Sequence, residues 1–224
     1  MDPSLLSLIA ASIAFVGTHF ALSHPLRAPL VRMTGEKGFS ALYSLVALAT
    51  FGWMVLAFRA VPSPDLEGSG EAGWIVATVM MIPATVLLLG SFKGNPAMPT
   101  PGADKLAAQE PHGVFRVTRH PMMWSMALWA IAHLVLLWSM RTSVVALAIL
   151  VLALVGSHMQ DRKKEVLMGD AWAGWEARTS YWPKWSALPA AGPVLWLIAI
   201  AAWLIFTWAH IHAAGVPAGI WRWL

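Results

Sequence analysis

Six apolar stretches, each close to 20 residues long, set the strongest limit on what this chain can fold into. They cover residues 5–22, 39–58, 74–92, 122–140, 142–159 and 194–211. A helix of ~20 apolar residues is long enough to cross the ~30 Å hydrocarbon core of a bilayer. We therefore predict an all-α fold, a polytopic membrane protein with six transmembrane helices that form a single domain over residues 1–224.

The composition supports this interpretation and excludes several kinds of chemistry. Hydrophobic residues make up 58% of the chain and charged residues 12%, against a charged fraction of about 25% in soluble domains. A soluble fold would leave large apolar patches facing water. The chain has no cysteine, which excludes disulfides, thiolate ligands and a cysteine nucleophile. Histidine is then the only strong nitrogen ligand for a metal.

Basic residues between the apolar stretches predict the orientation in the membrane. Twelve lie in loops on one side: Arg27, Arg32, Lys37, Lys93, Lys105, Arg116, Arg119, Arg162, Lys163, Lys164, Arg178 and Lys184. Three lie on the other side: Arg59, Arg141 and Arg222. By the positive-inside rule the side with twelve is cytoplasmic, and both termini are periplasmic. The net charge of +4 thus reflects topology, and no nucleic-acid-binding motif accompanies it.

Two stretches outside the spans are predicted to form a small cytoplasmic cap, made from residues 93–119 and 161–190. The first is rich in proline, glycine and alanine, so we expect an irregular segment folded over the cytoplasmic mouth. The second begins with charges directly after the fifth span, and its Trp172 and Trp175 predict an interfacial helix with an aromatic belt. Spans four and five meet at Arg141–Thr142, which predicts a tight helical hairpin.

Histidines within the spans are the first candidates for a site, because ionisable residues in lipid usually face a cavity or the bundle interior. Three share one predicted depth, at the cytoplasmic end of their helices: His19, His120 and His158. His133 follows His120 by 13 residues, ~20 Å along a helix, near the middle of the membrane. It can act as an interhelical hydrogen-bonding residue or as a ligand. His210 and His212 point to opposite sides of a helix, so we expect no joint site there.

Arginines at the cytoplasmic mouth allow two interpretations. Arg116 and Arg119 flank the start of the fourth span, and Arg162 lies at the same level. Such residues are expected from topology alone. They could also form a cationic ring around propionates, phosphates or a nucleoside carboxylate.

Three sequence blocks resemble the NnrU family in their order and spacing: "GTHFALSHPLRAPLVRMTGEKGFSALYSLVALAT", "RVTRHPMMWSMALWAIAHLV" and "GSHMQDRKK". Its members are bacterial polytopic membrane proteins first linked to denitrification gene clusters. The resemblance implies a location in the bacterial inner membrane. It also leaves open a non-enzymatic role as an accessory protein for nitrite or nitric oxide reduction.

The same domain is similar to plant zeta-carotene isomerase, a membrane haem b protein. That resemblance implies haem b held between helices by His19 and His133 as axial ligands. The predicted depths alone favour a different pair, His19 with His158 or His120. It implies arginines near the propionates: Arg116, Arg119 or Arg162. A cavity would admit a small hydrophobic or gaseous ligand for isomerase-like or redox chemistry. The cysteine of the plant enzyme falls at Ala130, so ligand switching through a thiolate is absent here.

A more distant resemblance implies a different cofactor. "GVFRVTRHPMMW" followed by "DRKKEVLMGDAWAGWEARTSYWPKW" is similar to the end of isoprenylcysteine carboxyl methyltransferases. By that resemblance the cytoplasmic face would bind S-adenosylmethionine through Arg119, His120, Pro121, Glu165 and Tyr181. The three hypotheses predict different cavities. Haem needs a slot with two histidines, the nucleoside needs a polar pocket at the cytoplasmic mouth, and an accessory scaffold needs neither.

Overall fold

The computed structural model describes residues 2–99 and 101–224, and within them it contains helices and no strand. Met1 and Thr100, which belong to the predicted domain and cap, lie outside this range. The helices are α1 (Pro3–Ser23), α2 (Arg27–Ala60), α3 (Gly70–Gly90), α4 (Ala103–Ala107), α5 (Pro121–Leu136), α6 (Met140–Met168), α7 (Asp170–Arg178) and α8 (Pro193–Ala214). Short 3₁₀ turns lie at Gly113–Arg116, Trp185–Ala191 and Gly219–Arg222.

The predicted all-α, polytopic fold is confirmed. Within the described residues, α1, α2, α3, α6 and α8 are long and apolar enough to cross a membrane, and α5 is a shorter apolar helix. Two helices extend well past their predicted bounds. α2 begins at Arg27 and bends at Gly35, whose φ of 71° is a conformation that glycine adopts without steric cost. α6 continues nine residues beyond 159 to Met168.

The turn between α5 and α6 lies earlier in the chain than predicted. α5 ends at Leu136, Leu137 takes a left-handed conformation with φ 46°, and α6 begins at Met140. The turn therefore lies at residues 137–139 rather than at Arg141–Thr142. Ser139 caps α6 by accepting a hydrogen bond from the Thr142 amide, which satisfies one of the free amides at the helix start.

The six long helices pack as a row in the order α2, α1, α6, α5, α3 and α8. Because consecutive long helices run in opposite directions, both termini lie at one end of the bundle, here called the terminal end. The Arg222–Glu71 ion pair of 3.0 Å ties the chain's last residues to α3 there. The loops rich in lysine and arginine lie at the opposite end, here called the basic end. The row curves, so that α2 and α8 both contribute to the wall of one cavity.

The predicted cap is present at the basic end, with two corrections. Residues 161–168 belong to α6 and continue the span, so the separate helix is only α7. Trp172 and Trp175 are 0% and 1% exposed; they pack with Phe115 inside the cap rather than in an interfacial belt. The segment before α4 folds back as predicted, since Lys164 donates hydrogen bonds to the carbonyls of Pro96 and Met98 at 2.9 and 3.3 Å.

Candidate functional site: an intramembrane cavity and a buried ion network

The concave face of the helix row encloses a cavity of about 720 Å³. Its wall comes from α2, α3, α5, α6 and α8, and none of the residues described for α1 contributes to it. Most of the wall is apolar, with side chains such as Phe51, Met81, Trp129 and Phe206. Small-molecule and cofactor sites are typically cavities of ~300–1,000 Å³ with mostly apolar walls and a few polar groups. The cavity has this size and character.

His133 is one of the few polar groups on this wall. Its Nδ1 lies 2.8 Å from the backbone oxygen of Trp129, and its ring lies 4.2 Å from the Trp129 ring. A carbonyl oxygen can only accept, so the proton of the neutral imidazole is on Nδ1. The lone pair is then on Nε2, which is the arrangement seen in histidines that bind metals.

His210 of α8 also lines the cavity, and it has the same tautomer. Its Nδ1 lies 2.8 Å from the backbone oxygen of Val216, in the segment after α8, which again leaves Nε2 with the lone pair. His212 is exposed and packs against Trp208 at 4.8 Å. His210 and His212 therefore face different surroundings. The sequence gives no indication that His210 and His133, 77 residues apart, share a cavity.

Arg141 and Arg59 place positive charge on the cavity wall at the terminal end. Arg141 donates a hydrogen bond of 2.8 Å to the Val61 carbonyl, and its guanidinium lies 4.5 Å from the Phe58 ring centroid. Its Nε is buried and has no partner within the part of the chain that the structure describes. A buried donor without an acceptor is costly, so this nitrogen suits an anionic group of a ligand. The sequence marked both arginines only as loop charges.

His19 lies outside this cavity. Its Nδ1 is 2.7 Å from the Phe15 carbonyl oxygen, and its ring meets Tyr43 of α2 edge-on at 5.5 Å. The residue therefore fills a contact between α1 and α2, and the structure does not bring it to the wall that His133 occupies.

The depth of His19 differs from that of His133 as well. Phe20 lies against Gly156 of α6, with 3.7 Å to a Cβ built on that glycine, and Gly156 precedes Asp161 by five residues. Asp161 contacts His120, so Phe20 lies ~7.5 Å from the level of His120 toward the terminal end, and His19, one residue earlier in α1, lies ~9 Å from it, at ~1.5 Å per residue. His133 lies ~20 Å from that level in the same direction, which puts the two predicted ligands ~11 Å apart along the bundle.

Arg119 and His120 form a buried ion network at the basic end. Asp161 accepts hydrogen bonds from Arg119 Nε at 3.0 Å and NH2 at 2.7 Å, and from His120 Nε2 at 2.7 Å. Arg119 also pairs with Glu176 at 3.1 Å. The His120 and Asp161 side chains are 0% and 6% exposed. The network joins the start of α5 to α6 and α7, and the sequence did not single out Asp161 or Glu176.

Glu176 is the carboxyl of this network whose ionisation is least favoured. Burial raises the pKa of the Glu176 carboxyl above its usual range, and the nearby negative charge of Asp161 raises it further. The positive charge of Arg119 opposes this and lowers the pKa in part. The Glu176 carboxylate thus stabilises the charge of Arg119, while burial makes its own ionisation less favourable.

A second, much smaller cavity lies beside His120. Its volume is about 30 Å³, and its wall includes Asn95, Gln160 and three methionines. The Nδ1 of His120 is buried and has no partner within the described residues. A cavity of this size holds a water molecule, which could hydrogen bond to that nitrogen. A nucleoside such as S-adenosylmethionine has no room in it.

The other predicted site residues lie at the surface of the basic end. Arg116 and His158 are exposed. Arg162 is exposed and pairs with Glu165 of the same helix at 3.3 Å. None of them lines either of the two cavities described above.

The large cavity fits haem better than it fits a bare metal ion. The described residues contain no group of three or more His, Asp or Glu side chains placed to hold an ion. A porphyrin supplies four of its iron's ligands, so haem needs only one or two from the protein. The apolar wall, the Nε2 atoms of His133 and His210 and the Nε of Arg141 are groups of the kind that contact a haem and its propionates.

Fold and cavity together define a polytopic helical membrane protein with a ligand-sized cavity between its spans. The family model described as "NnrU protein" matches residues 7–218, nearly the whole chain, and the chain belongs to this family. The predicted family is thereby confirmed. Comparison with curated proteins and with solved structures finds no match.

Proposed function

We propose that this NnrU-family protein binds haem b in the large cavity between its helices, with His133 as a ligand of the iron. The observation that carries the proposal is the position of His133. It lies on the wall of a cavity of about 720 Å³, and its Nδ1–H donates to the Trp129 carbonyl. Nε2 is the nitrogen left to bind a metal, and the hydrogen bond at Nδ1 fixes the ring and raises its basicity.

Arg141 supports the proposal through charge. Its position next to the start of α6 is ~30 Å from the level of Asp161 and His120, whereas His133 is ~20 Å from it. Arg141 therefore lies ~10 Å beyond His133, toward the terminal end. There its buried Nε would face a propionate, in place of Arg116, Arg119 and Arg162, which the structure holds at the basic end.

The proposal also includes a second, small ligand that would reach the cavity from the lipid. Haem, when bound, would supply isomerase-like or redox chemistry for a small hydrophobic or gaseous molecule. The protein's own part is access and exclusion of water. α2 and α8 stand at the two ends of the helix row and both line the cavity, so an apolar molecule would enter from the lipid between them.

The test is the haem content of protein purified in detergent after expression with ample haem. We expect stoichiometric haem by the pyridine haemochrome assay, and loss of most of it in His133→Ala. His158→Ala is the matched control, because His158 is an exposed span histidine at the other end, and it should keep its haem. A colourless wild type, or a His133→Ala variant with an unchanged spectrum, would refute the proposal.

A further inference from the structure

We infer that His210 is the second histidine of this site and that it, rather than His19, shares the bound iron with His133. The inference rests on the proposed haem site and assigns its other axial position. The two residues come from α5 and α8, which both pack on α3. Both line the same cavity, and each has its Nδ1 tied to a backbone carbonyl.

The depth of His210 follows from the packing of α8 on α3. Gly90 of α3 lies directly against Leu195 of α8, so that a Cβ built on the glycine would be 2.9 Å from the leucine side chain. From residue 195 to residue 210 the helix advances by 15 residues, which is ~22 Å. His210 therefore lies ~22 Å from the Gly90 level, toward the terminal end.

The depth of His133 follows from the packing of α5 on the same helix. A Cβ built on Gly73 of α3 would be 3.5 Å from the Val135 carbonyl oxygen. Gly73 is 17 residues before Gly90, or ~26 Å along α3. His133 is two residues before Val135, ~3 Å nearer the basic end. His133 thus lies ~23 Å from the Gly90 level, the same depth as His210 within the accuracy of the helix rise.

Two histidines that hold one iron must line the same cavity and lie within a few ångströms of each other in depth, and His19 meets neither condition. His19 lies ~11 Å from His133 along the bundle, and it contacts Tyr43 away from the cavity wall. His210 meets both conditions, depth and cavity. Its hydrogen bond to Val216 gives the imidazole a fixed orientation, as second-shell partners of metal-binding histidines do.

The experiment compares the iron spin state in haem-loaded wild type, His210→Ala, His19→Ala and His212→Ala, by absorption and low-temperature EPR. His212→Ala is the matched control, since it removes an exposed imidazole two residues away on α8. We expect a low-spin, six-coordinate wild type and a mainly high-spin His210→Ala variant. His19→Ala and His212→Ala should remain low-spin. Added imidazole should restore the low-spin spectrum of His210→Ala, which a merely structural loss would not allow.

A second variant guards against misfolding. His210→Gln keeps an amide that can donate to the Val216 carbonyl but offers no strong ligand, so it should be high-spin with the melting temperature of the wild type. Haem-bound, low-spin His210→Ala and His210→Gln would overturn the assignment of His210 alone, and a high-spin His19→Ala would then point to His19. A wild type that takes up no haem would overturn the proposed function together with this assignment.

Discussion

Asp161→Asn should destabilise the protein strongly, because Asp161 carries the negative charge at the centre of the buried network. Its carboxylate accepts hydrogen bonds of 3.0 and 2.7 Å from Arg119 and 2.7 Å from His120, and its side chain is 6% exposed. Removing one partner of a buried ion pair costs ~3–5 kcal/mol, since the other charge stays buried without compensation.

Glu176 sets where in that range the cost falls. It lies 3.1 Å from Arg119 and retains part of the compensation, so we expect the lower end, ~3 kcal/mol. For a chain of this length, 1 kcal/mol corresponds to ~2–4 °C in melting temperature. The expected shift is therefore ~6–12 °C, measured by tryptophan fluorescence during heating in detergent. Trp172 and Trp175, buried in the cap, report on the region that the network holds together.

Glu165→Gln is the control for the loss of a carboxylate charge from the same helix. Glu165 pairs with Arg162 at 3.3 Å, but their side chains are 37% and 69% exposed, and such surface pairs contribute ~0–1 kcal/mol. If Asp161→Asn melts within ~2 °C of Glu165→Gln, a difference below ~1 kcal/mol, the network does not hold the cap to the spans and the reasoning is wrong.

Four further predictions concern other parts of the molecule. The pKa of the Glu176 carboxyl is raised in the folded state, so the melting temperature of wild type should fall relative to that of Glu176→Gln as pH rises from about 4.5 through the raised pKa. A difference in melting temperature between the two proteins that stays constant with pH would contradict this. The Cβ added by Gly90→Ala would clash with Val114 and Leu195, so this variant should lower the free energy of unfolding by ~1–3 kcal/mol. Gly52 has open space around it, so Gly52→Ala should leave the melting temperature unchanged or raise it. Trp172→Ala should lower the free energy of unfolding by ~3–5 kcal/mol. Trp182 is 66% exposed, so Trp182→Ala should change it by less than ~0.5 kcal/mol. Equal melting temperatures of the two variants would show that the cap has no packed core. Arg141→Gln should weaken haem retention about 10- to 150-fold in transfer to apomyoglobin, since a hydrogen bond to a charged group contributes ~1.5–3 kcal/mol, while Arg162→Gln should leave retention unchanged.

The six apolar stretches were enough to predict the architecture, because crossing a bilayer requires a fixed length of apolar helix whatever the helices contact. The same argument located five of the six spans to within about four residues at their starts. It failed where helices leave the lipid. The charged residues after 159 appear to end a span by hydropathy, yet backbone hydrogen bonds continue α6 to Met168, since Asp161 and Lys164 find partners in the cap.

The candidate site, too, could be predicted from the sequence only in part. His133 could be selected from the sequence, because a titratable residue within an apolar helix is costly and usually has a task. The residues that share its cavity could not be predicted. His210 and Arg141 are separated from it by 77 and 8 residues, on other helices whose order in the bundle is not written in their hydropathy.

The amino-acid sequence alone is enough to predict a six-helix membrane protein of a particular family, with charged loops at one end. Local properties decide those features: span length, residue polarity and motif spacing. Tertiary packing, by contrast, closes Arg119 and His120 into a buried network without a cofactor-sized pocket beside them. It also places His133 in one cavity with His210 and Arg141 rather than with His19. Those outcomes depend on which helices become neighbours and at what relative depth, and side-chain packing in three dimensions determines both.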